Sequence, residues 1–554
     1  KSSVNQVKDK VYNNGDDEDG NGIEISSRDY NETININHVK IGNDDKKKAL
    51  RKEAISLYNK DVFTPIDPHL GYIPDVTRIN DIYRQKGDSW RSRFCMDGKH
   101  EYVDENQILY APTADSKTVS IMLAMFNNFE FNYHVLDVKD AFTNTPLELD
   151  KYGYLNKYLA MEFIDMLEEN NKKLAAQKWK ACLTKQGGLI VKLKKALYGL
   201  KEAPYLWNQY VNNLLVKNGY ERCDVDNCLY QKENETGKLA VCVHVDDFLV
   251  CCSSESLLIA FKKIFESEFK QPLKELPVNN FKYLGVDISR DNNNVTCSQV
   301  DYIQQTIEQY NIKYTVSTPS NEKIFKNEGP AVDDSKYKSL LAKIMYIATH
   351  TRPDILFSVM YLATKATNPV ESNYNALMHI LSYLKNTINK KMIYKPITSN
   401  VVTLYSDASH NLHPDSKGQS GCCIFLGNND ACIYSRSTKQ HINSSSSYDA
   451  ELIALDDGTK TLSKVKDILT FLGFNPTAVI KEDNDPAITT LTNPFNCTDR
   501  SKGINNRVNS TKERMKDDKM SIEYCKTELM IADVLTKVLQ PKDFIRYTKQ
   551  ITNS

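Results

Sequence analysis

Residues 241–252, VCVHVDDFLVCC, set two adjacent acids, Asp246 and Asp247, inside an apolar, β-branched run. An apolar stretch on each side of a two-residue polar centre is the pattern of a β-hairpin, which predicts that the acids sit at its tip. Two readings are open for them. Asp is a common turn residue because it tolerates unusual backbone angles. Alternatively, two carboxylates on a rigid tip form half of a divalent-metal site, because hard cations take oxygen ligands. The second reading needs a third carboxylate. Upstream, residues 132–142 read NYHVLDVKDAF, a short apolar strand ending on Asp137. Two such strands can be neighbours in one antiparallel sheet, which would bring Asp137 to the same edge as Asp246 and Asp247. Three carboxylates there could hold two Mg2+ ions, the arrangement that drives in-line displacement at phosphorus. The chemistry this suggests is nucleotidyl transfer.

A chain of 554 residues is too long for one hydrophobic core and predicts about three to five domains. Its longest apolar run, ILFSVMYLA at 355–363, is half of the roughly 18 residues a membrane span requires, so a soluble protein with no membrane partner is expected. The 13 cysteines are scattered. Cys251–Cys252 and Cys422–Cys423 fall in strand-like runs, as small core residues of a reducing compartment do. Cys223 and Cys228 lack the spacing and the second pair of a zinc site. The formal net charge of zero hides an asymmetry: residues 1–45 carry ten acids against five bases, leaving the rest of the chain at +5. Basic clusters such as KLKK (192–195) and the pair Lys262–Lys263 could line a phosphate-tracking groove, although each alone reads as a solvated face.

The Asn/Asp/Gly/Ser-rich residues 1–45 offer few apolar anchors and predict a flexible acidic extension. Order is expected from about KKKALRKEAISLY (46–58), where Ala49, Leu50, Ala54 and Leu57 share a helical face. SESLLIAFKKIFESEFK (254–270) is an amphipathic helix with Leu257, Leu258, Phe261, Ile264, Phe265 and Phe269 on its apolar side. A second helix is expected in VDYIQQTIEQYNI (300–312). Residues 318–334 read as a linker, 337–353 as helix again, and VVTLYSDAS (401–409) as a strand opening the last domain.

Several of these stretches, taken in order, resemble the reverse transcriptase and ribonuclease H of copia-type long-terminal-repeat retrotransposons. They are DVKDAF (137–142), LYGLKEAPYLW (197–207), HVDD (244–247), FKYLGVDI (281–288), CSQVDYI (297–303), YKSLLAKIMYIATHTRPDI (337–355), YSDAS (405–409), SSSSYDAELIAL (444–455), EDNDPAI (482–488) and ADVLTK (532–537). An ordered series of this length is specific where any single member is not. It runs from about Lys46 to the C-terminus.

The resemblance implies a multidomain α+β and α/β fold: a right-hand polymerase of fingers, palm and thumb, then a connection and a ribonuclease H-like domain. On that pattern residues 46–253 are fingers and palm, 254–330 thumb, 331–400 connection and 401–554 the ribonuclease H domain. It makes Asp137, Asp246 and Asp247 the polymerase metal ligands. Phe142 would crowd a ribose 2′-hydroxyl, and Arg93, with Arg91 beside it, would grip the incoming triphosphate. Tyr198 and Gly199 join these substrate contacts, and Tyr283, Leu284 and Gly285 would hold the primer end. In the last domain Asp407 ends a strand, Glu451 lies on a helix capped by Ser447, Asp483 ends another strand and Asp533 lies on the last helix; together they would bind metal for hybrid cleavage. The implied cofactors are Mg2+ or Mn2+, two ions per active site. The implied partners are an RNA template, a DNA or tRNA primer, dNTPs and an RNA–DNA hybrid, with a homodimer possible. The implied location is cytoplasmic, within virus-like particles.

Some positions depart from the family pattern. His244 stands where an aromatic precedes VDD and would titrate near neutral pH. Glu202 replaces a glutamine near the template nucleotide, and Asp97 a lysine of the fingers. Gly503 and Asn509 replace histidines of the last domain. Two further readings compete: a nucleic-acid-binding descendant without catalysis, and a nuclease that has lost its polymerase. Retention of all seven acids argues against the first, since a buried cluster of like charges is costly to keep without metal. The intact VDD and Phe142 argue against the second.

Overall fold

The structure, a computed structural model, describes residues 43–68, 76–86, 89–101, 108–127, 131–276, 279–291, 294–427, 431–493 and 502–554. The acidic extension expected over 1–45 therefore lies outside the described residues except for its last three, which open the helix Asn43–Asn59. The chain forms two units. One comprises residues 1–112, 138–218 and 267–271, and the other residues 113–137, 219–266 and 272–554. No helix among the described residues is long and apolar enough to cross a membrane. The described cysteines are free, and all but the half-buried Cys95 are buried, as expected of small core residues.

The first unit is built on a five-stranded sheet in the order Phe63–Pro65, Leu189–Leu193, Tyr152–Leu155, Val76–Lys86, Ser89–Met96. The apolar face predicted for the first helix is real: Ala49, Leu50, Ala54 and Leu57 are buried. They share a core with Phe163 and Trp179, whose rings stack at 4.4 Å. Arg51 clips this helix to Lys157–Glu169 through a 2.9 Å ion pair with Glu162.

Among the described residues the second unit carries three sheets. The six-stranded one has the order Lys274–Glu275, Asn132–Asp137, Asp247–Cys252, Gly237–His244, Leu229–Asn234, Glu221–Arg222. Its central strands are apolar on both faces, which is why VCV and FLVCC read as continuous rather than alternating runs. A four-stranded sheet follows: Asn280–Tyr283, Val286–Asp291, Asn294–Ser298 and Met392–Tyr394. The third is mixed and ordered Cys432–Lys439, Gln419–Leu426, Val401–Ser409, Thr477–Glu482, Ser521–Tyr524. Its first three strands are antiparallel and its last two add in parallel. The 25-residue helix Ser447–Phe471 lies against strands Val401–Ser409 and Gln419–Leu426.

Two expected domain boundaries fall inside packed groups. The helix Glu255–Phe269, read as the start of a thumb at 254, sets Phe265 5.0 Å from Phe248 of the six-stranded sheet, with Phe261 at 6.1 Å. The helix Val300–Gln309 packs against Glu371–Asn386, across the boundary drawn at 330. Both faces were amphipathic in sequence, but amphipathicity says only that a face is covered, not by what.

Candidate functional site

The hairpin forms as its pattern dictates, with one shift. The two turn residues are Val245 and Asp246, while Asp247 opens the second strand, opposite His244. Val245 adopts φ 55°, a left-handed conformation strained for a β-branched residue by about 1–3 kcal/mol. Such strain persists only where the surroundings over-determine the turn. On its other edge Asp247 stands in direct register with Asp137 of the neighbouring antiparallel strand, so their Cα atoms are about 4.5–5.5 Å apart. Like charges directly opposite one another destabilise a sheet. Burial, then Asp246 and Asp137, push the Asp247 carboxyl up to about 6, while Lys274 works the other way. Lys274 lies in register with Asp137 on that strand's far side, a cation that the sequence reading missed. Burial lowers the His244 imidazole from its ordinary value, against the pull of Asp246.

Three residues expected to contact the incoming nucleotide, Arg93, Phe142 and Tyr198, meet in the first unit. The Arg93 guanidinium lies over the Tyr198 ring at 4.2 Å, and Phe142 meets the same ring edge-on at 5.4 Å. Arg91 is exposed and stands opposite Arg84. The stack is fixed by backbone: the Met96 N–H donates to the Tyr198 carbonyl at 2.7 Å. Gly199 follows at φ +84°, where a Cβ would sit 2.1 Å from the Met96 carbonyl oxygen. A Gly199→Ala protein is therefore expected to lose about 1–3 kcal/mol or more of stability, read as a lower denaturant midpoint; an unchanged midpoint would remove the reason for a glycine here. Near this stack, burial and Asp140 push Glu53 up to about 7, with Arg93 opposing. Glu202, expected near the template nucleotide, is a buried residue of the first unit. It is 1% exposed and pairs with Lys151 at 2.7 Å, and Lys151 also holds Glu101 at 2.8 Å. Asp97 accepts from or pairs with His100 at 2.9 Å.

Tyr283, expected at the primer, is a core residue, 2% exposed, with its hydroxyl donating to the Cys242 carbonyl at 3.3 Å. Leu284 and Gly285 form the turn that follows, at φ 48° and 72°. The Tyr346 hydroxyl donates to the Leu284 carbonyl at 2.6 Å.

The second acidic cluster is deeper. Asp407 lies within strand Val401–Ser409, Glu451 on helix Ser447–Phe471, and Asp483 just past strand Thr477–Glu482. Carboxylate oxygens of these three lie within 4.8 Å of one another. Among the described residues Asp137, Asp246 and Asp247 do not draw their oxygens into so tight a set. Two local expectations are corrected. The helix cap is Ser446, whose hydroxyl accepts from the Asp449 N–H at 3.2 Å, not Ser447; in a run of four serines propensity cannot choose among them. Asp533 lies on the short 3-10 turn Ile531–Leu535, ahead of the last helix Pro541–Thr552. It is 6% exposed, and burial and Asp407 push its carboxyl up to about 7 against Lys537.

Glu482 was missed. It is fully buried, and burial, Asp407 and Asp483 raise its carboxyl well above the usual range. Glu451 is raised for the same reasons, burial first, then Asp407 and Glu482. Oε2 of both glutamates is buried without a hydrogen-bond partner. An all-oxygen donor set with unsatisfied buried carboxylate atoms fits a hard divalent cation such as Mg2+ or Mn2+. The alternation of TAVIKE could have signalled Glu482, since it falls on the buried face with Ala478 and Ile480. Gly503 and Asn509 are exposed on helix Lys502–Asp517.

Residues 176–322 match the reverse transcriptase (RNA-dependent DNA polymerase) family. That span includes Tyr198, Gly199, Asp246, Asp247 and Tyr283–Gly285, and leaves out Asp137 and the C-terminal acids. The retrovirus-related Pol polyprotein from transposon TNT 1-94 of Nicotiana tabacum is 25% identical over 90% of this chain, and the chain spans 37% of that polyprotein's length. The corresponding polyprotein from transposon RE1 of Arabidopsis thaliana is 25% identical over 80% of this chain and is spanned over 29% of its length. A putative transposon Ty5-1 protein of Saccharomyces cerevisiae is 29% identical over 43% of this chain and 78% of its own. Among solved structures, a foamy viral protease-reverse transcriptase in complex with RNA/DNA hybrid aligns at a TM-score of 0.46 and 11% identity, covering 91% of this chain and 56% of that one. An RNase H1 from the archaeon Halobacterium salinarum aligns at 0.20 and 17% identity over 24% of this chain and 93% of its own.

Proposed function

We propose that this chain, similar over most of its length to the Pol polyproteins of copia-type retrotransposons, is an RNA- and DNA-dependent DNA polymerase joined to a ribonuclease H. One observation carries the reading: a single chain holds two separate groups of carboxylates, Asp137 beside Asp247 on neighbouring strands of the six-stranded sheet, and Asp407, Glu451 and Asp483 where the helix Ser447–Phe471 meets the C-terminal sheet. Each has the oxygen chemistry of phosphoryl-transfer sites.

In the polymerase Asp137, Asp246 and Asp247 hold the ions. Bound there, Mg2+ or Mn2+ lowers the pKa of the primer hydroxyl and neutralises charge on the leaving oxygens. Lys274 tempers the repulsion between Asp137 and Asp247 before the ions arrive. Arg93, kept in place by the Tyr198 face, binds the triphosphate through its planar fork. Phe142, braced edge-on by the same ring, sits against the sugar and excludes a 2′-hydroxyl. In the nuclease Asp407, Glu451, Asp483 and Asp533 hold the ions that serve cleavage of the RNA strand, and Glu482 adds negative charge behind them. The partners are an RNA or DNA template, a DNA or tRNA primer, dNTPs and the hybrid; the setting is a virus-like particle in the cytoplasm.

The test is primer extension on RNA and DNA templates with Mg2+ or Mn2+, run beside digestion of a labelled hybrid. Absence of both activities under either metal would leave only nucleic-acid binding. Phe142→Ala should raise ribonucleotide incorporation by roughly 10–100-fold, the range over which a pocket discriminates one small group. Unchanged sugar discrimination would reject Phe142 as the gate.

A further inference from the structure

The nuclease cluster contains a cation of its own. Lys537 follows the turn that carries Asp533, and its Nζ lies 2.7 Å from Asp533 Oδ1 and 3.5 Å from Asp407 Oδ2. The Thr536 hydroxyl donates to the same Asp407 oxygen. The carboxylates thus divide into two sets that share Asp407. Asp407, Glu451 and Asp483 bring their oxygens together within 4.8 Å, a group that does not include Asp533. Asp533 and Asp407 instead converge on the lysine ammonium. The Asp407 and Asp533 side chains are 3% and 9% exposed, whereas Lys537 is 37% exposed. The acids are therefore fixed in the interior, while the lysine has a route out along a flexible four-carbon stem.

We infer that the Lys537 ammonium is the built-in occupant of the second cation position, the one shared by Asp407 and Asp533, and that a divalent ion takes that position only by displacing it. The inference rests on the ribonuclease H reading of this cluster. It follows from charge and place: an ammonium between two buried carboxylates stabilises the metal-free protein and repels a further cation from the same oxygens. The two ions then bind unequally, the first to Asp407, Glu451 and Asp483, the second in competition with Lys537. A purely structural Asp533–Lys537 pair, four residues apart, would contribute to stability alone.

The experiment is titration of Mn2+ and Mg2+ into the full chain, by calorimetry and by the electron paramagnetic resonance of free Mn2+, in an Asp247→Asn background that weakens the polymerase site. Lys537→Met and Lys537→Gln should tighten the weaker cluster site by at least about tenfold, and Lys537→Arg should leave it as in the parent. The metal-free melting temperature of Lys537→Met should fall, and its rise on adding Mg2+ should exceed the parent's. Unaltered affinities in both Lys537→Met and Lys537→Gln overturn the inference while leaving the nuclease reading intact. If instead the parent binds no divalent ion that Glu451→Gln removes, the nuclease reading fails and the inference fails with it.

Discussion

Asp246→Asn is expected to abolish primer extension and to leave hybrid cleavage at its original rate, and Glu451→Gln to do the reverse. Each replacement removes one anionic oxygen donor while keeping shape, so what is lost is the charge that holds a divalent ion against the reacting phosphate. Several kcal/mol of transition-state stabilisation is at stake, or on the order of 10³-fold or more in rate. The separation of the two effects is the informative part. Asp246 lies on the hairpin of the six-stranded sheet and Glu451 on the helix against the C-terminal sheet, so their losses should not cross over. Extension that survives Asp246→Asn would show that Asp246 serves the turn of VCVHVDDFLVCC and not an ion. Loss of both activities in either variant would point to a folding defect, which a thermal melt distinguishes.

The second large effect is on stability. Without divalent metal the protein should become less stable as pH rises from about 4 to about 7, and Mg2+ should cancel most of that loss. The sign follows from the raised carboxyls. Below about 4 these groups are protonated whether the chain is folded or not, and they cost nothing. Between the unfolded value and the folded one the native state keeps protons that the unfolded chain has released, so each pH increment favours unfolding. Above the folded value the penalty is complete. For Asp533, moved from 3.8 to about 7, this amounts to on the order of 4 kcal/mol; Glu451 and Glu482 are shifted in the same direction. Metal binds the ionised form and so releases these protons and reverses the trend. Glu482→Gln removes one buried charge, and its Oε1 can still accept from the Asn484 N–H, 3.2 Å away in the parent. The metal-free variant should melt higher than the parent at pH 7.5 and show a flatter dependence on pH. Parallel melting curves for variant and parent across that range would mean that Glu482 does not share the cluster's repulsion.

What could be read in advance and what could not divide along the range of the interactions. The strand ending on Asp137, the hairpin carrying Asp246 and Asp247, the apolar face of Asn43–Asn59 and the long helix bearing Glu451 were legible because each is written in local periodicity, turn chemistry or an ordered motif series. The sequence by itself thus determined these elements and the acids they carry, but not the 3-10 turn Ile531–Leu535 that bears Asp533. Only the tertiary structure decided which of those acids face one another, that Lys274 stands on the far side of Asp137, that Tyr283 is buried, that the helix Glu255–Phe269 covers the six-stranded sheet, and that Glu482 and Lys537 join the second cluster. Electrostatics and burial depend on distances between residues far apart along the chain, such as Asp407 and Lys537, and no local pattern encodes such a distance.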